Sequence, residues 1–397
     1  MTPLQLTAYT MTSALGAGLE PTLDALRARR SGIMCKHWET VEAGLCIGEV
    51  AGVDDVVMRA DLAHYACRNN RLAQLGLEQD QFAAAVGAAT SRYGRRRIGV
   101  FLGTSTSGIL SSEIAYRQRD PHSGALPASH DYRHTHNSYS VAAFVREYFG
   151  LQGPAFVVST ACSSSAKVFG NAWRMIAGGW IDAALVGGVD SLCLTTLYGF
   201  RSLQLVSDQP CRPFDAERNG LSIGEAAAFV LLERGDAAAP GNVLLTGVGE
   251  SSDAYHMSSP HPEGLGAVEA MRAALRMAGL QPEDIDYINL HGTATPSNDA
   301  AENRAVMSVF GAATPCSSTK GHTGHTLGAA GAVEAVISAL ALGNELAPAG
   351  VGSTRLDPQF GVHYLFDNRS QPLRHVLSNS FGFGGSNCSL VFSGAAP

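Results

Sequence analysis

The 397-residue chain lacks any apolar run of membrane-spanning length. Its opening, MTPLQLTAYT, lacks the features of a secretory signal, so a cytoplasmic location is expected. Its cysteines (Cys35, Cys46, Cys67, Cys162, Cys193, Cys211, Cys316 and Cys388) form no CxxC pair and show no zinc-like spacing. No metal is therefore expected, and most of these cysteines read as free, buried small hydrophobes. Charged residues are scarce, at 16%, and a net charge of −7 argues against nucleic acid as a general partner. No linker rich in proline or serine divides the chain. What is plentiful is apolar surface, at 45%, and glycine, with 44 residues. That combination suits close-packed elements joined by tight loops in a large enzyme.

Strand-like runs alternate with helix-like ones, which predicts a layered α/β fold. RIGVFLGT (97–104), AFVVST, DAALVGGVDSL (182–192) and AAAFVLLE (226–233) read as strands of a first half, residues 1–240. NVLLTGVGES (242–251), IDYINLHG (285–292), HYLFDN (363–368) and VLSNSFGFGGSNCSLVF (376–392) supply those of a second, residues 241–397. STACSSS precedes one long helix of small residues, and STKGHTGHT precedes another about half a chain later. The parallel suggests a duplication whose halves each deliver reactive groups from a helix start.

Three residues stand out. Cys162 lies where a β-branched strand turns into a helix, and unpaired N–H groups at a helix start favour a thiolate. His291, in NLHGTATPSND, and His325, in STKGHTGHTLGAAG, sit in loops of similar style. Singly, a cysteine at a strand end is ordinarily structural and a loop histidine ordinarily solvated. Together they have the composition of a covalent acyl-transfer centre.

These segments, with CRPFDAERNGLSIGEAAAFVLLE (211–233) and the closing NSFGFGGSN, resemble the β-ketoacyl-acyl-carrier-protein synthases from about residue 95 onward. The resemblance implies a thiolase-like, five-layered αβαβα fold of two duplicated halves. It also implies a decarboxylative condensation, with Cys162 carrying the acyl group and His291 and His325 binding malonyl thioester. The N–H groups of Cys162 and Phe383 would form an oxyanion hole, and Lys320 with Glu334 a buried support pair. Thr293, Thr295, Asp299 and Glu302 match polar residues that order the His291 loop and the pantetheine arm. Phe383 matches a gate hinged by the glycines around it, Gly384 among them. Thr106, in GTSTSGIL (103–110), falls near the expected acyl pocket and subunit interface. No cofactor is implied beyond the phosphopantetheine of acyl carrier protein, the expected partner. Because carriers are acidic, Arg68, Arg71 and Arg201 are candidates for docking them. A second ketosynthase-like chain is also implied, either a second copy or a chain-length partner.

The chain departs from the family's usual patterns in HGTAT, in GGVDS, in the hydroxyl-rich GTSTSGIL and near its start. These departures admit a specialised polyene or aryl-polyene enzyme beside a fatty-acid one. Two other readings are a non-catalytic partner subunit, which intact Cys162, His291 and His325 oppose, and a thiolase-like enzyme using coenzyme A.

Overall fold

A computed structural model describes residues 2–235 and 241–394. The expected boundary between the halves, at 240/241, falls at the edge of residues outside that description.

In the first half the principal strands are β1 (Leu4–Ser13), β2 (Ile98–Gly103), β3 (Ala155–Val158), β4 (Ala183–Asp190) and β5 (Ala226–Arg234). The helices that build its layers and site are α1 (Arg68–Leu77), α2 (Phe82–Tyr93), α3 (Ser140–Tyr148), α4 (Ser164–Ala177) and α5 (Leu194–Ser202), beside further helices at Leu19–Arg27 and Ile109–Arg117. The second half contains β6 (Val243–Ser252), β7 (Tyr287–Asn289), β8 (Pro315–Ser317), β9 (His363–Tyr364), β10 (His375–Gly382) and β11 (Ser386–Gly394). Its longer helices are α6 (Leu265–Ala278), α7 (Pro296–Phe310) and α8 (Ala330–Gly343).

The strand order is β9-β8-β7-β10-β11-β6-β1-β5-β4-β2-β3. Counted outward from the β6–β1 junction, each half runs first strand, last, next to last, second, third. The pairing senses repeat as well: β2 is parallel to β3 and β4, and β7 is parallel to β8 and β10. The last two strands of each half are antiparallel. The duplication therefore exists in the topology, and β3 and β8 are equivalent strands.

Helices α4 and α8 pack on each other between the two halves of the sheet, while α1, α2 and α3 cover one outer face and α6 and α7 the other. This is the αβαβα layering. Helix α8 is buried from Ala330 through Leu342, as suits a helix apolar on most sides whose one charge, Glu334, is paired with Lys320. Small residues allow the approach: a Cβ on Gly331 would lie 2.5 Å from the Ala166 nitrogen.

Two sequence expectations are corrected. HYLFDN is a strand only at His363–Tyr364; Asn368 turns away, accepting a bond from the Ala349 N–H and donating to the Leu26 carbonyl. Not all cysteines are free either. Cys35 and Cys46 face each other across the hairpin Met34–Trp38/Val41–Gly48 and are joined by a disulfide, which their spacing did not announce. Among the described residues no helix is long and apolar enough to cross a membrane.

Candidate active site

Cys162 follows β3, and Lys320 and His325 follow the equivalent strand β8, so the duplication brings them together from opposite sides. Ala161, just before the cysteine, is held in the left-handed region at φ 53°, a conformation that costs an L-residue about 1–2 kcal/mol. The serines of STACSSS fasten this turn. Ser163 Oγ donates to the Thr160 carbonyl at 3.0 Å, and Ser164 Oγ accepts from the Thr160 N–H at 2.9 Å. Ser165 Oγ reaches across to accept from the Ala332 N–H of α8 at 2.9 Å. Cys162 thus sits on an elbow, two residues before the first helical residue.

His325 is placed by backbone. Its N–H donates to the Ser222 carbonyl at 2.7 Å and its carbonyl accepts from the Gly224 N–H at 2.9 Å. This pairing explains why the SIGEAAAF segment accompanies the histidine motif. His325 Nε2 lies 3.0 Å from the Cys162 sulfur. The His291 ring stands edge-on to the His325 ring, with centroids 5.4 Å apart. Cys162, His291 and His325 are all buried and line one pocket with Thr293, Thr295 and Phe383.

Behind His291, Lys320 Nζ donates to the His291 carbonyl at 2.5 Å and pairs with Glu334. Lys320 Nζ also lies 3.3 Å from His291 Nδ1. An ammonium can only donate, so His291 Nδ1 accepts and its proton resides on Nε2. Burial, and then the Lys320 charge, hold both His291 and His325 well below the usual imidazole range. Both rings are therefore neutral at physiological pH and suited to donating N–H bonds to an oxyanion.

The donor atoms of Cys162, His291 and His325 lie within 4.8 Å of one another, a spacing that admits a metal. The tautomer set by Lys320 does not fit one, because it turns a protonated nitrogen of His291 away from the lysine where a metal needs a lone pair.

The thiol corrects one expectation. Burial pushes Cys162 up to about 11, while Lys320 and a hydrogen bond from the Phe383 backbone pull the other way. Desolvation is the largest of these influences and holds the group toward the protonated thiol. Glu302 and Asp299 do not line the pocket. Glu302 accepts from the His291 and Gly292 N–H groups at 2.8 and 2.7 Å, and Asp299 from Phe214 and Ala294 at 2.8 and 3.2 Å. They fix the backbone of the His291 loop. Burial raises their carboxyls to about 7 and about 6. The Thr293 and Thr295 hydroxyls face each other at 2.9 Å within the pocket.

Phe383 is half-buried, its ring 5.4 Å from that of Phe200 at the pocket wall. Gly384, outside the lining, donates to the Met257 carbonyl at 2.8 Å. Thr106 is buried against Asp190 and does not line the pocket.

Arg68 is not a surface residue. It is 6% exposed and binds Glu225 through two nitrogens, at 2.9 and 2.6 Å, and Asp54 at 2.6 Å. Arg71 is half-buried, whereas Arg201 is exposed beside Phe200. Sequence reading missed Phe200, Asn379, which donates to Glu302, and Ser380, which donates to Glu334. The last two lie on β10 and their partners on helices α7 and α8, so only the packing of helices on the sheet identifies them.

The family models "Beta-ketoacyl synthase, N-terminal domain" and "Beta-ketoacyl synthase, C-terminal domain" match residues 3–238 and 243–353. The 3-oxoacyl-[acyl-carrier-protein] synthase 2 of Vibrio cholerae is 33% identical over 96% of each chain. The mitochondrial 3-oxoacyl-[acyl-carrier-protein] synthase of Arabidopsis thaliana is 41% identical, across 62% of this chain and 57% of that one. A chain of the solved Xenorhabdus doucetiae complex of the ketosynthase ApeO with its chain length factor ApeC superposes with a TM-score of 0.91. It shares 38% identity, over 99% of this chain and 98% of that one. The chain belongs to the β-ketoacyl synthase family, with its thiolase-like fold, and is an acyl-transferring condensing enzyme.

Proposed function

We propose that the chain extends carrier-bound acyl groups by two carbons through decarboxylative condensation with malonyl-acyl carrier protein. The observation that carries this reading is the 3.0 Å approach of His325 Nε2 to the Cys162 sulfur, with neutral His291 on the same pocket. Cys162 attacks the acyl-carrier thioester. The carbon–sulfur bond to pantetheine breaks, and the thiol proton ends on the departing pantetheine sulfur, which leaves His325 neutral with its N–H for the next step. The N–H groups of Cys162 and Phe383 bond the tetrahedral oxyanion. Malonyl-carrier then enters past Phe383. His291 and His325 donate to its thioester oxygen, so the electron pair released with CO₂ has a stabilised enolate to enter. The enolate carbon attacks the acyl thioester, expels Cys162 and leaves a 3-oxoacyl carrier.

Thr293 and Thr295 would bond the pantetheine arm, and Arg201, exposed near the mouth, would meet the acidic carrier. Strand β3 ends the sheet and its residues are only half-buried, which supports a second ketosynthase-like chain pairing along that edge. The departures HGTAT, GGVDS and GTSTSGIL support a specialised polyene-type pathway, and the likeness to a complex of a ketosynthase with its chain length factor supports a chain-length partner.

Incubation with acyl- and malonyl-carrier protein, followed by intact-mass spectrometry of the carriers, tests the reading. It predicts a 3-oxo product two carbons longer, with conjugated or aryl primers preferred. Absence of product and of acyl-enzyme, with or without a chain-length partner, would refute it.

A further inference from the structure

Two of the departures from family pattern noted in the sequence, GGVDS and GTSTSGIL, are one structure. Asp190, at the end of β4, is fully buried, and no ion pair to it occurs among the described residues. Its carboxylate is used purely as an acceptor. Oδ1 takes the Thr104 hydroxyl at 2.6 Å, the Ser105 N–H at 2.8 Å, and the Thr106 N–H and hydroxyl at 2.9 and 2.8 Å. Oδ2 takes the Ser105 hydroxyl at 2.6 Å and the Gly328 N–H at 2.5 Å. A buried carboxylate without a cation needs donors of this kind to offset its desolvation. The hydroxyls of Thr104, Ser105 and Thr106 and the N–H groups of Ser105, Thr106 and Gly328 supply them.

Gly328 is three residues beyond His325. The His325 ring has no hydrogen bond of its own on Nδ1, which is buried without a partner. Its aim at Cys162 therefore depends on backbone anchors. The upstream anchor is the pairing with Ser222 and Gly224, and Asp190 is the downstream one. The contact is close, since a Cβ on Gly328 would lie 2.7 Å from Asp190 Oδ2.

We propose that Asp190 is a positioning residue for the condensation, locking the His325 loop and the hydroxyl-rich 104–106 loop into one arrangement. The inference rests on the roles given to Cys162 and His325 above. Asp190 does not touch substrate; it acts through His325. Its charge also opposes thiolate formation at Cys162, which gives a second readout.

The test uses Asp190→Asn and Ser105→Ala, with Cys162→Ala as control. Asparagine keeps the shape but turns an amide N–H₂ toward donors. Its kcat should fall ten- to a hundred-fold, as a small misplacement of a reacting group costs about 10²-fold, with KM for malonyl-carrier within twofold. Its Cys162 alkylation profile should shift to lower pH. Ser105→Ala removes one bond to Oδ2 without changing charge and should lose kcat by a few-fold at unchanged KM. It serves where the asparagine variant does not fold. Native kcat in folded Asp190→Asn, or in Ser105→Ala if the former is insoluble, overturns the proposal. A change in KM alone also overturns it, because it assigns the loop to substrate binding. Product formation by Cys162→Ala would instead overturn the underlying mechanism.

Discussion

His325 Nε2 and Cys162 Sγ lie 3.0 Å apart although 163 residues separate them. One residue comes from the elbow after β3, the other from the loop after its topological twin β8. The thiol in this pair is protonated at rest, since burial lifts it to about 11. Alkylation of the free enzyme should therefore accelerate about tenfold per pH unit between pH 7 and 10. A plateau already at pH 7 would mean a resting thiolate–imidazolium pair.

Lys320 and Glu334 are both buried, and each satisfies the other. Removal of one partner leaves an unpaired charge in the core, which costs about 3–5 kcal/mol. Lys320→Ala should lower denaturant stability by that amount and also release the His291 tautomer, reducing malonyl decarboxylation. Full stability in this variant would show that the pair is not buried in solution.

Arg68 and Arg201 should part company. Arg68→Ala strands Glu225, which is fully buried, and should cost about 3–5 kcal/mol without a specific effect on carrier affinity. Arg201→Glu should leave Tm unchanged and raise the KM for carrier protein severalfold, with a weaker salt dependence. A carrier KM insensitive to Arg201→Glu would remove it from the docking surface.

The α4–α8 contact admits no larger side chain at Gly331. Gly331→Val should destabilise by about 1–3 kcal/mol through overpacking, with activity falling because both helices carry the site. Native Tm would contradict the packing.

Much of this was legible in the chain, and the failures share a cause. Cys162, His291 and His325 stood out because unusual residues recur in ordered local motifs, and Lys320 followed from the family resemblance. The duplicated layering followed from alternation and from two similar helix starts. Arg68 was misplaced because its partners, Glu225 and Asp54, are distant in sequence. The Cys162 thiol was misjudged because local context reveals a helix start but not the desolvation imposed by opposite layers. Asp190 and the TSTS loop were each visible as oddities; only the adjacency of β2 and β4 joins them. Motif reading captures what is local, whereas burial and cross-strand partnership belong to the assembled fold.

The central claim is that Cys162 holds the acyl group while His291 and His325 independently drive decarboxylation. The most direct measurement is CO₂ release from malonyl-carrier protein by Cys162→Gln, alone and combined with His325→Ala. The account predicts brisk decarboxylation without condensation in the single variant and its loss, by at least a hundredfold, in the double. A Cys162→Gln enzyme inert in both steps, or a double variant as active as the single, would contradict it.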